Sequence, residues 1–152
     1  MAPPAGTVAS ASDWLAALPV GTPATLGRAV QTARLEDRTS FITADGSSIR
    51  ELAGIPVGNA ANQSLAEATV PPGGATIEHY HRTSEEIYLF TKGMGRMQLG
   101  EQEGPVRAGD AVVIPPGTPH RLLNTGPEPL VLLCCCAPAY SHEDTVLLEQ
   151  EG

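Results

Sequence analysis

Three histidines and one glutamate of this chain are spaced so that together they could hold a metal ion. His79 and His81 stand one residue apart in "IEHYH", and Glu86 begins "EIYLF" five residues after His81. In a β-strand, side chains two residues apart point to the same face and lie about 6.6 Å apart. The pattern therefore predicts that both imidazoles reach one ion and that Ile77 shares their face. A hairpin through "RTSE" would bring the Glu86 carboxylate opposite them.

A third imidazole is available from His120, which directly follows "PPGTP". Taken singly, each of these residues has an ordinary interpretation, because an isolated strand histidine usually faces solvent or packs with a hydrogen bond, and Glu86 stands in an "EE" pair. Their joint occurrence on otherwise apolar strands favours a metal site. A buried charge without a partner is costly there, and a cation offsets that cost.

The elements that must position these residues are short strands. From Asn62 onward, apolar runs alternate with glycine and proline turn signals, which is typical of an all-β sandwich or barrel. The runs are "QSLAEATV", "ATIEHYH", "EEIYLF", "RMQLG", "AVVIP", "RLLN" and "LVLLCCCA". Two turns, "PPGG" at 71–74 and "PPG" at 115–117, fit type II geometry, in which glycine supplies the positive φ. Each turn leads the chain to a histidine of the candidate site.

The chain has 152 residues, enough for one ordinary core, and we divide it into three parts. Residues 1–48 are expected to form an N-terminal arm with a short helix around "SDWLAAL", where Ser10 caps and Trp14 and Leu15 dock. Residues 49–140 are expected to form the barrel. Residues 141–152 form an acidic tail, whose structure would depend on docking.

Charge and cysteine usage exclude several classes of function. The net charge is -8 and the basic residues are scattered, so nucleic acid is not an expected partner. No run is long and apolar enough to span a membrane, and the N-terminus lacks the pattern of a secretory signal. The three cysteines, Cys134 to Cys136, are adjacent, which does not suit a disulfide framework and favours a reducing compartment. The expected location is the cytoplasm.

Two stretches carry a resemblance to the cupin family. "GGATIEHYHRTSEEIYLFTKG" resembles the first cupin motif, and "GDAVVIPPGTPHRLLN" resembles the second. The matching positions are Gly73, His79, His81, Glu86 and Gly93 in the first, and Gly109, Pro115, Gly117, His120 and Asn124 in the second. The resemblance covers about Leu65 to Cys136. It implies an all-β cupin double-stranded β-helix, or jelly-roll barrel, in which three histidines and Glu86, rather than Glu85, hold one divalent metal ion per chain.

The resemblance leaves the reaction open, because cupins include dioxygenases, isomerases, decarboxylases, lyases and binding modules. Three imidazoles and a carboxylate leave coordination positions for an exchangeable ligand. Our leading expectation is a dioxygenase-type oxidoreductase that uses Fe(II), with Mn, Ni or Zn as alternatives, on a chelating small-molecule substrate. The alternatives are a metal-dependent isomerase or lyase for a sugar or hydroxy acid, and a noncatalytic binding barrel.

For several other residues, a functional role has to be compared with simple packing in the core. Tyr88 shares the Glu86 face and is the candidate catalytic residue, although core packing is the commoner role of such a tyrosine. Cys134 and Cys136 share a face opposite to Cys135 and fit buried packing. His142 lies in the tail and is expected to be exposed. Because cupins commonly pair, and an apolar arm suits exchange between subunits, a homodimer is expected.

Overall fold

The candidate ligands lie on strands of two facing antiparallel sheets. The computed structural model describes residues 30–148, and among these it contains eleven strands and one short 3-10 helix, Leu35–Asp37. The strands are β1 Phe41–Ile42, β2 Ser48–Ala53, β3 Ser64–Val70, β4 His79–His81, β5 Glu85–Lys92, β6 Met94–Leu99, β7 Gln102–Arg107, β8 Ala111–Ile114, β9 His120–Asn124, β10 Leu130–Ala137 and β11 Thr145–Leu147. This is the all-β jelly roll that the sequence predicts.

Each sheet mixes strands from distant parts of the chain. The six-stranded sheet has the order β1-β2-β3-β10-β5-β8, and the five-stranded sheet has the order β11-β4-β9-β6-β7. His79 pairs with His120 across β4 and β9, whereas Glu86 lies on β5 in the other sheet, opposite Cys136 of β10. The space between the sheets is therefore where the two halves of the site meet.

The core is built from the inward positions of these strands. On β5 the burial alternates strictly, so that Glu86, Tyr88 and Phe90 face inward while Ile87 and Leu89 face outward. This is the period of two expected for a strand with one buried face. The most buried apolar side chains lie together between the sheets: Val70, Phe90, Ile114, Leu122, Leu130 and Leu132. They form the apolar core between the two sheets.

The two proline-glycine turns have the predicted geometry. Gly73 and Gly117 both have φ of +73°, and the turns are closed by hydrogen bonds from Gly74 N to Pro71 O (2.9 Å) and from Thr118 N to Pro115 O (3.3 Å). A side chain is rarely tolerated at such a φ, so glycine is required at both positions. Gly117 N also donates to His81 O at 2.7 Å. This hydrogen bond connects the turn at 115–117 to β4, the strand that carries His79 and His81.

Two sequence-based expectations about β4 and β5 are wrong. Ile77 does not share the histidine face, since it precedes the strand and is 40% exposed. Its backbone N–H donates to Asp45 O at 2.7 Å, and the alternation begins only at His79. The link after His81 is also not a hairpin within one sheet. It crosses between the sheets, because β4 pairs with β9 and β11 while β5 pairs with β10 and β8.

Strand β7 was not predicted, because its residues, "QEGPVR", are polar and contain glycine and proline. It lies at the edge of its sheet, where proline is tolerated because one side of the strand needs no ladder hydrogen bond.

Parts of the predicted arm and tail are strands of the same fold. Strand β1 pairs with β2, and β11 pairs with β4, with Thr145 opposite His81. The helix predicted around "SDWLAAL" lies outside the described residues, and the boundaries of arm, barrel and tail stay predictions. Within residues 30–148, no helix is long and apolar enough to cross a membrane.

Candidate metal centre

The structure brings the four predicted ligands together. One side-chain donor atom from each of His79, His81, Glu86 and His120 lies within 4.8 Å of the other three, and all four residues are buried. The exposed fraction is 5% or less for each of them. Two histidines come from β4, one from β9 and the glutamate from β5, so the site depends on both sheets.

The tautomers of His79 and His120 follow from their hydrogen bonds. His79 Nδ1 is 2.8 Å from the carbonyl of Ile77, and His120 Nδ1 is 3.0 Å from the carbonyl of Thr118. A carbonyl only accepts, so each Nδ1 carries the proton and each Nε2 presents a lone pair. His120 Nε2 is buried and has no hydrogen-bond partner among the described residues. Such an orphaned lone pair is what a metal ligand requires.

The Nδ1 atom of His81 is also hydrogen-bonded, in this case to Thr145 of β11. Its Nδ1 is 3.1 Å from Thr145 Oγ1, and that hydroxyl already donates its proton to Ser141 O at 2.9 Å. The hydroxyl therefore accepts from His81 Nδ1, and Nε2 is the ring nitrogen that faces the cluster. This nitrogen lies 2.9 Å from Glu86 Oε2.

The arrangement needs a positive charge at its centre. With the Nδ1 tautomers fixed, two imidazole lone pairs face Glu86 Oε2, from His81 at 2.9 Å and from His120 at 3.4 Å. Lone pairs directed at a buried carboxylate repel it unless a cation, or a proton carried by one of the rings, lies between them. A divalent metal ion satisfies all four groups at once, and three imidazoles with one carboxylate suit several divalent metals. The residues present therefore fit the ion that the motifs imply.

The electrostatics of the site keep the ligands in their metal-binding forms. Burial lowers the pKa of His79, and the adjacent His120 lowers it further, so that the ring is neutral. Burial raises the pKa of Glu86, but in the metal-free site hydrogen bonds from His120 and His81 outweigh this effect and bring it to about 2. A neutral imidazole and an ionised carboxylate are the forms that coordinate metals.

Three of the four residues line a small cavity between the sheets. Its volume is about 70 Å³. His79, His81 and Glu86 line it, together with an apolar wall of Ile49, Ala68, Val70, Leu122 and Leu132 and polar groups that include Asp45, Ser64, Thr76, Tyr88 and Tyr140. No lysine or arginine lines the cavity among residues 30–148.

Tyr88 lines the cavity and lies beside the ligands, with its ring centroid 5.9 Å from that of His120. Burial raises its pKa well above 10, and the Glu86 charge adds to the effect. The phenol is therefore neutral and can donate a hydrogen bond, but it is poorly suited to act as a base. Its catalytic role stays a prediction.

Asp45 is a residue that the sequence analysis missed, because it lies on the arm side of the predicted barrel boundary. It stands in the turn between β1 and β2, and its Oδ2 is 4.0 Å from His79 Nε2. The signal that could have revealed it is "TADGS", in which Asp45 is flanked by two hydroxyl residues and a glycine. Such a sequence is typical of a turn organised by the aspartate side chain.

The cysteines divide between the two faces of β10 as predicted. Cys134 and Cys136 line the cavity, while Cys135 is exposed on the opposite face. The thiol of Cys136 is 3.4 Å from Glu86 Oε1 and donates to it. Burial and the Glu86 charge raise the pKa of Cys136, so the thiol keeps its proton. Cys136 therefore holds the carboxylate oxygen that does not face the histidines.

His142 is exposed, as expected, and its Nδ1 lies 3.1 Å from the hydroxyl of Tyr140. Tyr140 packs edge-on against His81, with ring centroids 5.9 Å apart, and it lines the cavity. Tyr140, the last residue of the predicted barrel, thus contributes one aromatic side chain to the wall of the site.

Comparison with known proteins agrees with this geometry. The family model described as "Cupin domain" matches residues 66–136. An uncharacterized protein of Methanocaldococcus jannaschii, MJ1618, is 51% identical over 109 residues, which are 72% of this chain and 87% of that protein. A glucose-6-phosphate isomerase of Thermococcus onnurineus is 37% identical over 84 residues, which are 51% of this chain but only 44% of that enzyme.

A solved structure shows the same fold. The crystal structure of a predicted oxalate decarboxylase from Thermotoga maritima superimposes with a TM-score of 0.64 at 23% identity, covering 71% of this chain and 99% of that one. The two motifs, the facing antiparallel sheets and these matches lead to one conclusion. This chain belongs to the cupin superfamily.

Proposed function

We propose that this protein is a metal-dependent isomerase or lyase that acts on a small, unphosphorylated hydroxy-carbonyl compound. The observation that carries the proposal is the composition of the cavity: the four ligands lie beside side chains that can exchange protons, including Asp45 and Tyr140, and no cationic side chain among the described residues lines it. A divalent ion held there would act as a Lewis acid that polarises a carbonyl group. An isomerase or lyase needs such polarisation together with a nearby group that moves a proton.

Other residues of the cavity would bind and orient the substrate. Asp45 faces the ligand cluster as a hydrogen-bond acceptor, and the neutral Tyr88 as a donor. The apolar side chains of Val70, Leu122 and Leu132, which also line the cavity, would limit the access of water to it. A phosphorylated sugar is disfavoured, because its phosphate would lie near two carboxylates without a basic partner. The comparison with glucose-6-phosphate isomerase therefore supports the reaction class more than the substrate.

The second candidate is the dioxygenase-type oxidoreductase expected from the sequence. The observation that favours it is the aliphatic wall, since dioxygen is apolar and enters such a cavity readily. Two thiols, Cys134 and Cys136, line the same cavity and would be exposed to oxidation during that chemistry. For this reason we place it second.

One experiment separates the two reactions. Protein loaded with Fe(II), Mn(II) or Zn(II) is incubated without oxygen in deuterated water with short aldoses, ketoses and hydroxy acids, and proton NMR records exchange next to the carbonyl. Metal-dependent exchange that is lost in His120→Ala supports the isomerase or lyase. Oxygen uptake by the Fe(II) protein, without anaerobic exchange, supports the dioxygenase instead. If neither reaction occurs with any of these metals, both enzyme proposals are wrong and a binding role is favoured.

A further inference from the structure

We propose that Asp45 is a substrate-binding residue that accepts a hydrogen bond from a hydroxyl group of the molecule bound at the metal centre. It would thereby select compounds that carry a free hydroxyl beside the coordinating oxygen. This inference rests on the proposed function in one respect only, namely that a small organic ligand binds beside His79, His81, Glu86 and His120.

The two oxygens of the Asp45 carboxylate have different surroundings. Oδ1 accepts three hydrogen bonds: from Thr43 Oγ1 at 2.5 Å, from Ser47 Oγ at 2.7 Å and from Ser47 N at 3.0 Å. Oδ2 accepts none from the described residues, and it points towards the ligands, 4.0 Å from His79 Nε2. The turn is therefore held by one oxygen, and the second is left for another partner.

The position of Asp45 is fixed relative to the metal ligands. Its carbonyl accepts a hydrogen bond from Ile77 N at 2.7 Å, two residues before His79, and the turn that contains it is closed by Gly46 N and Thr43 O at 3.0 Å. The Asp45 side chain is only 13% exposed. A carboxylate oxygen held in this way is preorganised, and little freedom is lost when a ligand binds to it.

The chemistry of Oδ2 selects the kind of ligand group. An ionised carboxylate only accepts hydrogen bonds, so it favours a hydroxyl donor. An ether or methyl group at the same place would leave the largely buried charge without a partner, and a phosphate or second carboxylate would be repelled. A ligand with a hydroxyl beside its coordinating oxygen satisfies Oδ2 and the metal centre together.

The test uses two neutral chelating probes that differ in this one group, hydroxyacetone and methoxyacetone. Each is titrated into Mn(II)-loaded protein, and the broadening of its methyl proton resonance gives the dissociation constant without any turnover. The comparison is made for the wild type and for Asp45→Asn. The asparagine keeps a carbonyl oxygen for Thr43 and Ser47, so the turn is retained, and it replaces Oδ2 by an NH₂ group that cannot accept.

The expected result is a change in preference. In the wild type hydroxyacetone binds more tightly than methoxyacetone, and in Asp45→Asn the ratio of the two constants falls by about tenfold, the effect of one hydrogen bond to a charged group. Asp110→Asn is the matched control, since Asp110 accepts from Arg107 N in a turn outside the cavity, and it should leave the ratio unchanged. If Asp45→Asn fails to fold by circular dichroism, Asp45→Ser replaces it, because a serine side chain can also organise a turn.

The outcomes separate this inference from the proposed function. If both probes bind to the Mn(II) protein and the Asp45 variant keeps the wild-type ratio, the role of Asp45 is wrong and the proposed function stands. If Mn(II) is not retained at the four ligands, or neither probe approaches it, the proposed function and this inference are both wrong.

Discussion

Each imidazole at the candidate metal centre is oriented by the partner of its second ring nitrogen. Backbone carbonyls hold His79 and His120, and a threonine hydroxyl holds His81. In all three rings this leaves the Nε2 lone pair directed at the cluster. We therefore expect His81→Ala with His120→Ala to lower the metal content of purified protein from about one ion per chain to nearly none.

Elemental analysis of freshly purified protein measures this loss. The matched control is His142→Ala, which removes the only other histidine of the chain, an exposed one. Its metal content should equal that of the wild type. A double variant that keeps its ion while remaining folded would contradict the assignment of these ligands.

The thiol of Cys136 provides a second prediction at the scale of a single residue. It donates to Glu86 Oε1 at 3.4 Å, so it orients the carboxylate whose other oxygen faces the histidines. Partners of this kind typically contribute tenfold or more to metal affinity. We expect Cys136→Ala to weaken metal binding by about tenfold, and Cys136→Ser to restore most of the affinity, because serine also donates.

Competition with a chromophoric chelator measures these affinities. Cys135→Ser is the control, since Cys135 is the exposed neighbour on the opposite face of β10. Equal affinities for the alanine and serine variants would indicate that Cys136 only fills space.

At the scale of elements, strand β11 completes the site from the tail. Its pairing with β4 places Thr145 opposite His81, and the segment before it is held by Asp144, which accepts hydrogen bonds from Thr83 N and Ser84 N. Thr145→Val keeps the shape of the side chain but removes the acceptor for His81 Nδ1. We expect the metal affinity to fall by about tenfold while the fold is retained.

Chelator competition combined with thermal melting tests this prediction. Thr91→Val is the matched control, because Thr91 also bonds a backbone carbonyl, that of Val131, on an exposed part of β5 away from the site. A loss of affinity in both variants would mean that the effect is general destabilisation rather than the loss of the His81 partner.

The sequence predicted that His79, His81, Glu86 and His120 would lie together, and the structure confirms this proximity. Alternation along a strand sets which side chains share a face, and a proline-glycine turn precedes each histidine segment; both signals lie within a few residues. The sheet to which each strand belongs is a long-range property. The expectation of a β4–β5 hairpin was therefore wrong, although Glu86 does meet the histidines.

The place of Asp45 at the cavity also depends on long-range contacts that the sequence does not reveal. Its turn precedes the first motif by about thirty residues, and only the pairing of β2 with β3 and the bond from Ile77 N to Asp45 O bring it to the cavity. Neither contact has a sequence signal that is readable in advance. Strand β7 was missed for a different reason, since an exposed edge strand needs no apolar face.

At the scale of the whole molecule, the expected homodimer stays a prediction. Light scattering at several protein concentrations would test it, and a mass of a single chain at all of them would contradict it.

The stability of the metal-free protein should depend on pH through the ligands themselves. The pKa of His79 is about 6.5 in the unfolded chain and is lowered in the folded protein. Below pH 6.5 the unfolded chain therefore binds a proton at His79 more readily than the folded protein does. The free energy of unfolding decreases as the pH falls through this range. Glu86 has a pKa of about 2 in the fold and 4.5 when unfolded. Its contribution to the free energy of unfolding is complete above pH 4.5 and is lost as the pH falls towards 2. Both groups therefore make the folded protein less stable as the pH falls.

Urea denaturation of metal-free protein at intervals between pH 8 and pH 3 measures this dependence. We expect a nearly constant free energy of unfolding above pH 7, a first decrease just below pH 6.5 and a steeper one below pH 4.5. In His79→Gln the first decrease should become smaller while the second remains, because the glutamine has no proton to gain. Bound metal should move both decreases to lower pH, since the ion stabilises the folded form with deprotonated ligands. A wild-type profile that stays flat down to pH 4 would show that the fold does not resist protonation of His79, and it would contradict this prediction.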